Sequence, residues 1–136
     1  MPALQRLQPL LLCGLLSTQP VAAQVWVITD AAHPVTGKRA PDRQIALDAA
    51  QRIEDELSAG LPADPQRAES VLRQRLATGG AALAQRLQAA HQDVADAWAL
   101  GVTKIPAVVV DQRYVVYGVS DLDLALVTIQ RRKGAP

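Results

Sequence analysis

The residues of this chain with chemistry to offer are two histidines, one cysteine and an Ile-Pro turn. His33 follows Asp30 by three positions, in the run Asp30-Ala31-Ala32-His33-Pro34. A carboxylate at that spacing can orient an imidazole as a general base, or leave it to contact an anion. The pair comes with neither a nucleophile nor oxyanion donors, so it falls short of a catalytic set and reads first as a solvated loop. His91 lies on an apolar helical stripe, which suits a hydrogen-bonded core or boundary histidine. A zinc site would have to combine His33 and His91 with a carboxylate, a weak donor set without cysteine. The only cysteine, Cys13, falls inside an apparent export signal. The mature chain therefore has no thiol for catalysis or for a disulfide. The sequence implies no catalytic residue, no metal and no cofactor.

The elements that position these residues follow from the pattern. Residues 1–23 have the form of a secretory signal: Arg6, the short apolar run Leu10 to Leu16, a break at Ser17 to Pro20, and small residues Val21-Ala22-Ala23 before Gln24. The run is too short to span a bilayer, which takes about 20 apolar residues. An uncleaved N-terminal anchor is the alternative. Residues 24–136 then form a single domain. Lys and Arg total 14 against 13 Asp and Glu, a balance that gives no global attraction to nucleic acid or to an anionic membrane. Export points to the periplasm.

Val25 to Thr29 is β-branched and aromatic, a buried strand. Pro34, Gly37 and Pro41 keep the following segment a loop. Gln44 to Leu47 is a second short strand with Ile45 and Leu47 on one face. A helical block over about 48–100 comes next. Asp48 with Gln51 resembles a capping box, and Ala50, Ile53 and Leu57 make a stripe. Gly60 and Pro62 end that helix, and Asp64-Pro65 starts another. Gly79-Gly80 breaks or kinks it, after which Leu83, Leu87, His91, Val94 and Trp98 share a face. Two strands, Ala107 to Val110 and Tyr114 to Tyr117, flank Asp111-Gln112-Arg113. So short a connection makes them an antiparallel hairpin. A last helix is capped by Ser120 with Asp123, buries Leu122, Ala125, Leu126 and Ile129, and ends in Arg131-Arg132-Lys133. That basic run suits a solvated helix end better than a nucleic-acid patch. In a chain without Phe, Trp26 and Trp98 are expected as core anchors. Tyr114 and Tyr117 point to opposite faces.

The stretch Ala97 to Asp111, with Trp98, Gly101-Val102-Thr103-Lys104-Ile105-Pro106 and Val108-Val109-Val110, resembles a specific family when joined to Tyr114-Val115-Val116-Tyr117-Gly118. It is similar to the small exported proteins encoded within bacterial integrating conjugative elements, a domain of unknown function with no assigned activity. The similarity runs from Val25 to the last helix through Thr29-Asp30, His33-Pro34 and Gly60-Leu61-Pro62. A more distant resemblance, over Gly101 to Ile129, is to thioredoxin-like proteins. It implies an α/β fold with a thioredoxin-like mixed sheet: strand, loop, strand, helical block, antiparallel hairpin, terminal helix. It also turns the expectation at Ile105-Pro106 from trans to cis, with Thr103, Lys104, Ile105 and Pro106 either as a peptide-docking loop or as a rigid turn that simply starts the next strand. The family's dithiol would fall at Asp30, Ala31, Ala32, His33 and Pro34, where no cysteine stands, so none of its redox chemistry carries over.

The function these features imply is that of a periplasmic accessory protein of a conjugative element. It would be a non-redox component that binds other proteins of the conjugative transfer, type IV secretion-like, apparatus, without direct nucleic-acid binding and without a membrane span after signal cleavage. The alternatives are a thiol-independent enzyme centred on Asp30 and His33, and a chaperone for exported clients that uses the Pro106 edge.

Overall fold

The computed structural model describes residues 22–135. The expected export signal, with Cys13, falls on residues 1–23 and so lies outside the described residues except for its last two positions. The elements are β1 (Val25–Thr29), β2 (Arg43–Ala46), α1 (Ala49–Ser58), α2 (Pro65–Ala99), β3 (Ala107–Val110), β4 (Tyr114–Tyr117) and α3 (Leu122–Gly134). They form a mixed α/β fold around a four-stranded sheet in the order β2-β1-β3-β4. β1 runs parallel to β2. It is antiparallel to β3, which is antiparallel to β4. Among the described residues, no helix is long and apolar enough to cross a membrane.

Helices cover both faces of the sheet, so the central strands are apolar on both sides. Strand alternation divides the core in two. Val25 and Val27 of β1 join Val108 and Val110 of β3 against Leu122, Ala125 and Ile129 of α3. Ile28, Ile45, Ala107 and Val109 face the other way and pack on Ala97 of α2. β2 begins one residue earlier than its apolar pattern predicts. Leu47 follows it and donates its N–H to the Thr29 carbonyl at 2.9 Å.

Local capping rules place the helix starts well but misassign two side chains. Asp48 precedes α1 without capping it. Its Oδ2 instead accepts from the Ala31 N–H and from Arg52 Nε, each at 3.2 Å. Gln51 turns away to donate to Asp55 at 3.0 Å. At α3 the cap is Asp121, which accepts from the Leu124 N–H at 3.1 Å, rather than Ser120. Asp123 is occupied by the Lys38 N–H at 3.0 Å. The Ser120 carbonyl accepts from Thr36, whose own carbonyl accepts from Leu122, so the loop after β1 docks on the start of α3. The α3 stripe of Leu122, Ala125 and Ile129 is buried as its spacing predicts.

α2 starts at Asp64-Pro65, with Asp64 accepting from the Arg67 N–H. Gly80, at φ 51° and ψ −141°, interrupts it, so α2 is two helical segments about a kink. The second segment is rotated slightly from its expected face. Leu83, Ala90 and Ala97 are its buried residues, while His91 and Trp98 are exposed. Trp98 is 75% exposed and anchors nothing. The small side chains of Ala90 and Ala97 let the helix approach its neighbours closely, a contact that a hydrophobicity pattern does not register.

Candidate functional site

Thr29 ends β1 almost fully buried, and its hydroxyl donates to the carbonyl of His33. The His33 N–H donates to Asp30 Oδ1 at 2.9 Å, and His33 Nδ1 lies 2.6 Å from the same oxygen. The hydrogen bond from His33 is the largest influence holding the Asp30 carboxyl below its ordinary pKa. Asp48 pins the loop from below through Ala31, and the other Asp48 oxygen is buried without a partner among the described residues. Asp30 and His33 therefore act first as a turn device, in which a short acidic side chain bonds the backbone just ahead of it. The hydroxyl built into the turn, that of Thr29, is buried and already donating, so it is not presented to a substrate.

The turn before β3 meets this loop at one end of the sheet. Ile105-Pro106 is a cis peptide. Ile28 pairs with Ala107, so the register continued by one residue sets Thr29 beside Pro106. On the other side the Gly118 N–H donates to the Pro106 carbonyl at 2.9 Å. Ile105 packs on the α2 side of the core, whereas Thr103 and Lys104 are exposed. The structure thus brings Asp30 to Pro34 and Thr103 to Pro106 to the same end. It leaves His91 exposed on α2, and no group of three or more His, Cys, Asp or Glu is placed to hold a metal among the described residues.

A family model described as a protein of unknown function, DUF1525, matches residues 22–134. The chain belongs to the DUF1525 family. Neither a curated protein nor a solved structure matches it. The DUF1525 match spans every strand and helix described above, including both segments of the candidate site.

Two features of this DUF1525 domain escape sequence reasoning. The first is Arg43 on β2. Its guanidinium donates to Asp93 and to Asp96 of α2, each at 2.6 Å, and stacks 4.5 Å from the Trp26 ring centroid. The bond from Gln92, then that from Arg43, holds the Asp96 carboxyl below its usual range. Asp93, and then Asp96, hold the Arg43 guanidinium charged. Two carboxylates three positions apart on one helix face were the available signal, but their partner is distant in sequence. The second is a cleft of about 550 Å³ between α1 and the α2 kink. Ile53, Leu57 and Leu83 supply its apolar lining, and the Glu56–Arg86 ion pair, at 3.2 Å, its polar lining. Arg75, also at the cleft, donates to the carbonyls of Leu57 and Ala59 at 2.7 Å each and so closes the end of α1.

Proposed function

We propose that this DUF1525 protein is a periplasmic accessory protein of an integrating conjugative element. It binds another protein of the conjugative transfer machinery through a redox-inactive, thioredoxin-like domain. The observation that carries this reading is the meeting of two segments at one end of the sheet. Exposed Thr103-Lys104 approaches β3 beside the loop Asp30 to Pro34, and that loop contains no thiol. The strand order β2-β1-β3-β4, with only β1 and β2 parallel, suits the thioredoxin-like assignment. The exposed side chains of Thr103 and Lys104 offer a partner a contact surface at this end of the sheet. The near-neutral charge balance argues for a protein partner over nucleic acid.

Transfer frequency tests this directly. Deleting the gene should lower transfer, and the Thr103→Glu, Lys104→Glu double variant should fail to restore it while melting like the wild type. Normal transfer after deletion would remove the proposal. A second reading, an enzyme centred on Asp30 and His33, is favoured by their 2.6 Å contact. It predicts that Asp30→Ala with His33→Ala abolishes transfer without unfolding the protein. Full complementation by that variant decides for binding over catalysis.

A further inference from the structure

β4 is an outer strand of the sheet, hydrogen-bonded to β3 alone. The Gly118-to-Pro106 hydrogen bond fixes which of its backbone groups are free. Antiparallel pairs alternate, so Tyr114, Val116 and Gly118 turn their polar groups toward β3, and Val115 and Tyr117 turn theirs outward. The strand Tyr114-Val115-Val116-Tyr117 carries no charge and no proline, two devices that commonly blunt an open edge. The opposite edge differs. β2 begins with Arg43, already committed to Asp93 and Asp96.

A groove of about 390 Å³ runs between β4 and α3, with Tyr114, Val116 and Thr128 in its wall and Arg113 and Arg132 at its sides. Neither arginine has a carboxylate partner among the described residues, whereas Lys133 nearby is paired with Asp111. Unpaired arginines beside an open strand edge call for carboxylates on whatever pairs there.

We propose that the free edge of β4 takes an extended acidic segment of another protein as a fifth strand. Alternate residues of such a segment point to opposite faces. Acidic side chains on one face would meet Arg113 and Arg132 in the groove. Apolar ones on the other would lie along Val115 and the exposed Tyr117. This surface is distinct from the exposed Thr103-Lys104 run, and its test stands apart from that reading.

Fluorescence anisotropy on the purified protein tests it with labelled octapeptides. A peptide alternating valine and glutamate should bind, and one alternating valine and lysine should not. Arg113→Glu with Arg132→Glu should weaken the acidic peptide by about tenfold or more, as loss and reversal of facing charges does. Both side chains are exposed, so the variant should keep its fold; the milder Arg113→Gln, Arg132→Gln pair should shift affinity the same way by less. N-methylation of alternate peptide nitrogens probes the backbone without touching the protein. It should abolish binding in one of the two registers and spare the other, because only one set of N–H groups faces β4. The proposal is overturned if the acidic peptide does not bind, if acidic and basic peptides bind alike, if charge reversal changes nothing, or if neither methylation pattern matters. A dimer closed by β4 against β4 would overturn it as well.

Discussion

Asp111 ties three parts of the chain together from one turn position. It sits at φ 54°, with Gln112 at φ 53° beside it, in the left-handed conformation that tight hairpin turns use. Its N–H donates to the Gln24 carbonyl at 2.9 Å, and its Oδ1 accepts from the Gln24 N–H at 3.1 Å. Its Oδ2 accepts from Lys133 at 2.9 Å, which places that ammonium 4.7 Å from the Tyr114 ring centroid. Lys133, and then the Gln24 N–H, hold the Asp111 carboxyl below its ordinary pKa. A carboxyl shifted downward on folding stabilises the native state above its unfolded pKa, and that contribution disappears as pH falls through the folded value. Asp111→Asn should therefore melt below the wild type at neutral pH, and the gap should narrow as pH drops below about 4. A gap that stays constant into acid would contradict the assignment. Burial separates two other residues that look alike in sequence. Ile45→Ala empties a fully buried site and should cost about 2–5 kcal/mol in urea unfolding. Trp98→Ala removes an exposed ring and should stay within about 0.5 kcal/mol of the wild type.

The kink of α2 is the clearest case of an element set by two residues. Gly80 adopts a backbone conformation that side-chain-bearing residues reach only with strain, and Gly79 lies so close to Leu83 that an added Cβ would sit 2.7 Å from it. Gly80→Ala should cost about 1–3 kcal/mol in chemical unfolding. A neutral result would mean that the kink relaxes freely. The kink itself is legible from Gly79-Gly80. The face that the second segment buries is legible only in part: Leu83, Leu87 and Val94 lie where periodicity puts them, but Ala90 and Ala97 replace His91 and Trp98 at the contact. Periodicity weighs a residue by its hydrophobicity, and close packing selects small side chains that carry little of it. The caps fail for a related reason. Asp48 has the right type at the right place, yet it is claimed by Ala31, far behind it in sequence, and local rules do not see such a competitor.

For the whole molecule, β-branched runs and turn residues were enough to place all four strands, and the short Asp111 to Arg113 connection was enough to pair β3 with β4. The parallel β1–β2 pairing joins strands on either side of the loop 30–42, and the central place of β1 rests on its pairing with β3 beyond the helical block; spacing alone encodes neither. The candidate site divides along the same line. The segments Asp30 to Pro34 and Thr103 to Pro106 were singled out in sequence, and the β1–β3 register brings them together. The Arg43 clamp and the cleft at the α2 kink join residues from different elements and leave almost no local trace. The central proposal, that the chain works by docking another protein beside Pro106, is tested most directly by site-specific photocrosslinking in cells that carry the element. A photoreactive residue at exposed Lys104 should capture another protein of the transfer apparatus, while the same residue at exposed Gln85 on α2 should not. Recovery of only the free chain from the Lys104 position, or equal capture from both positions, would contradict it.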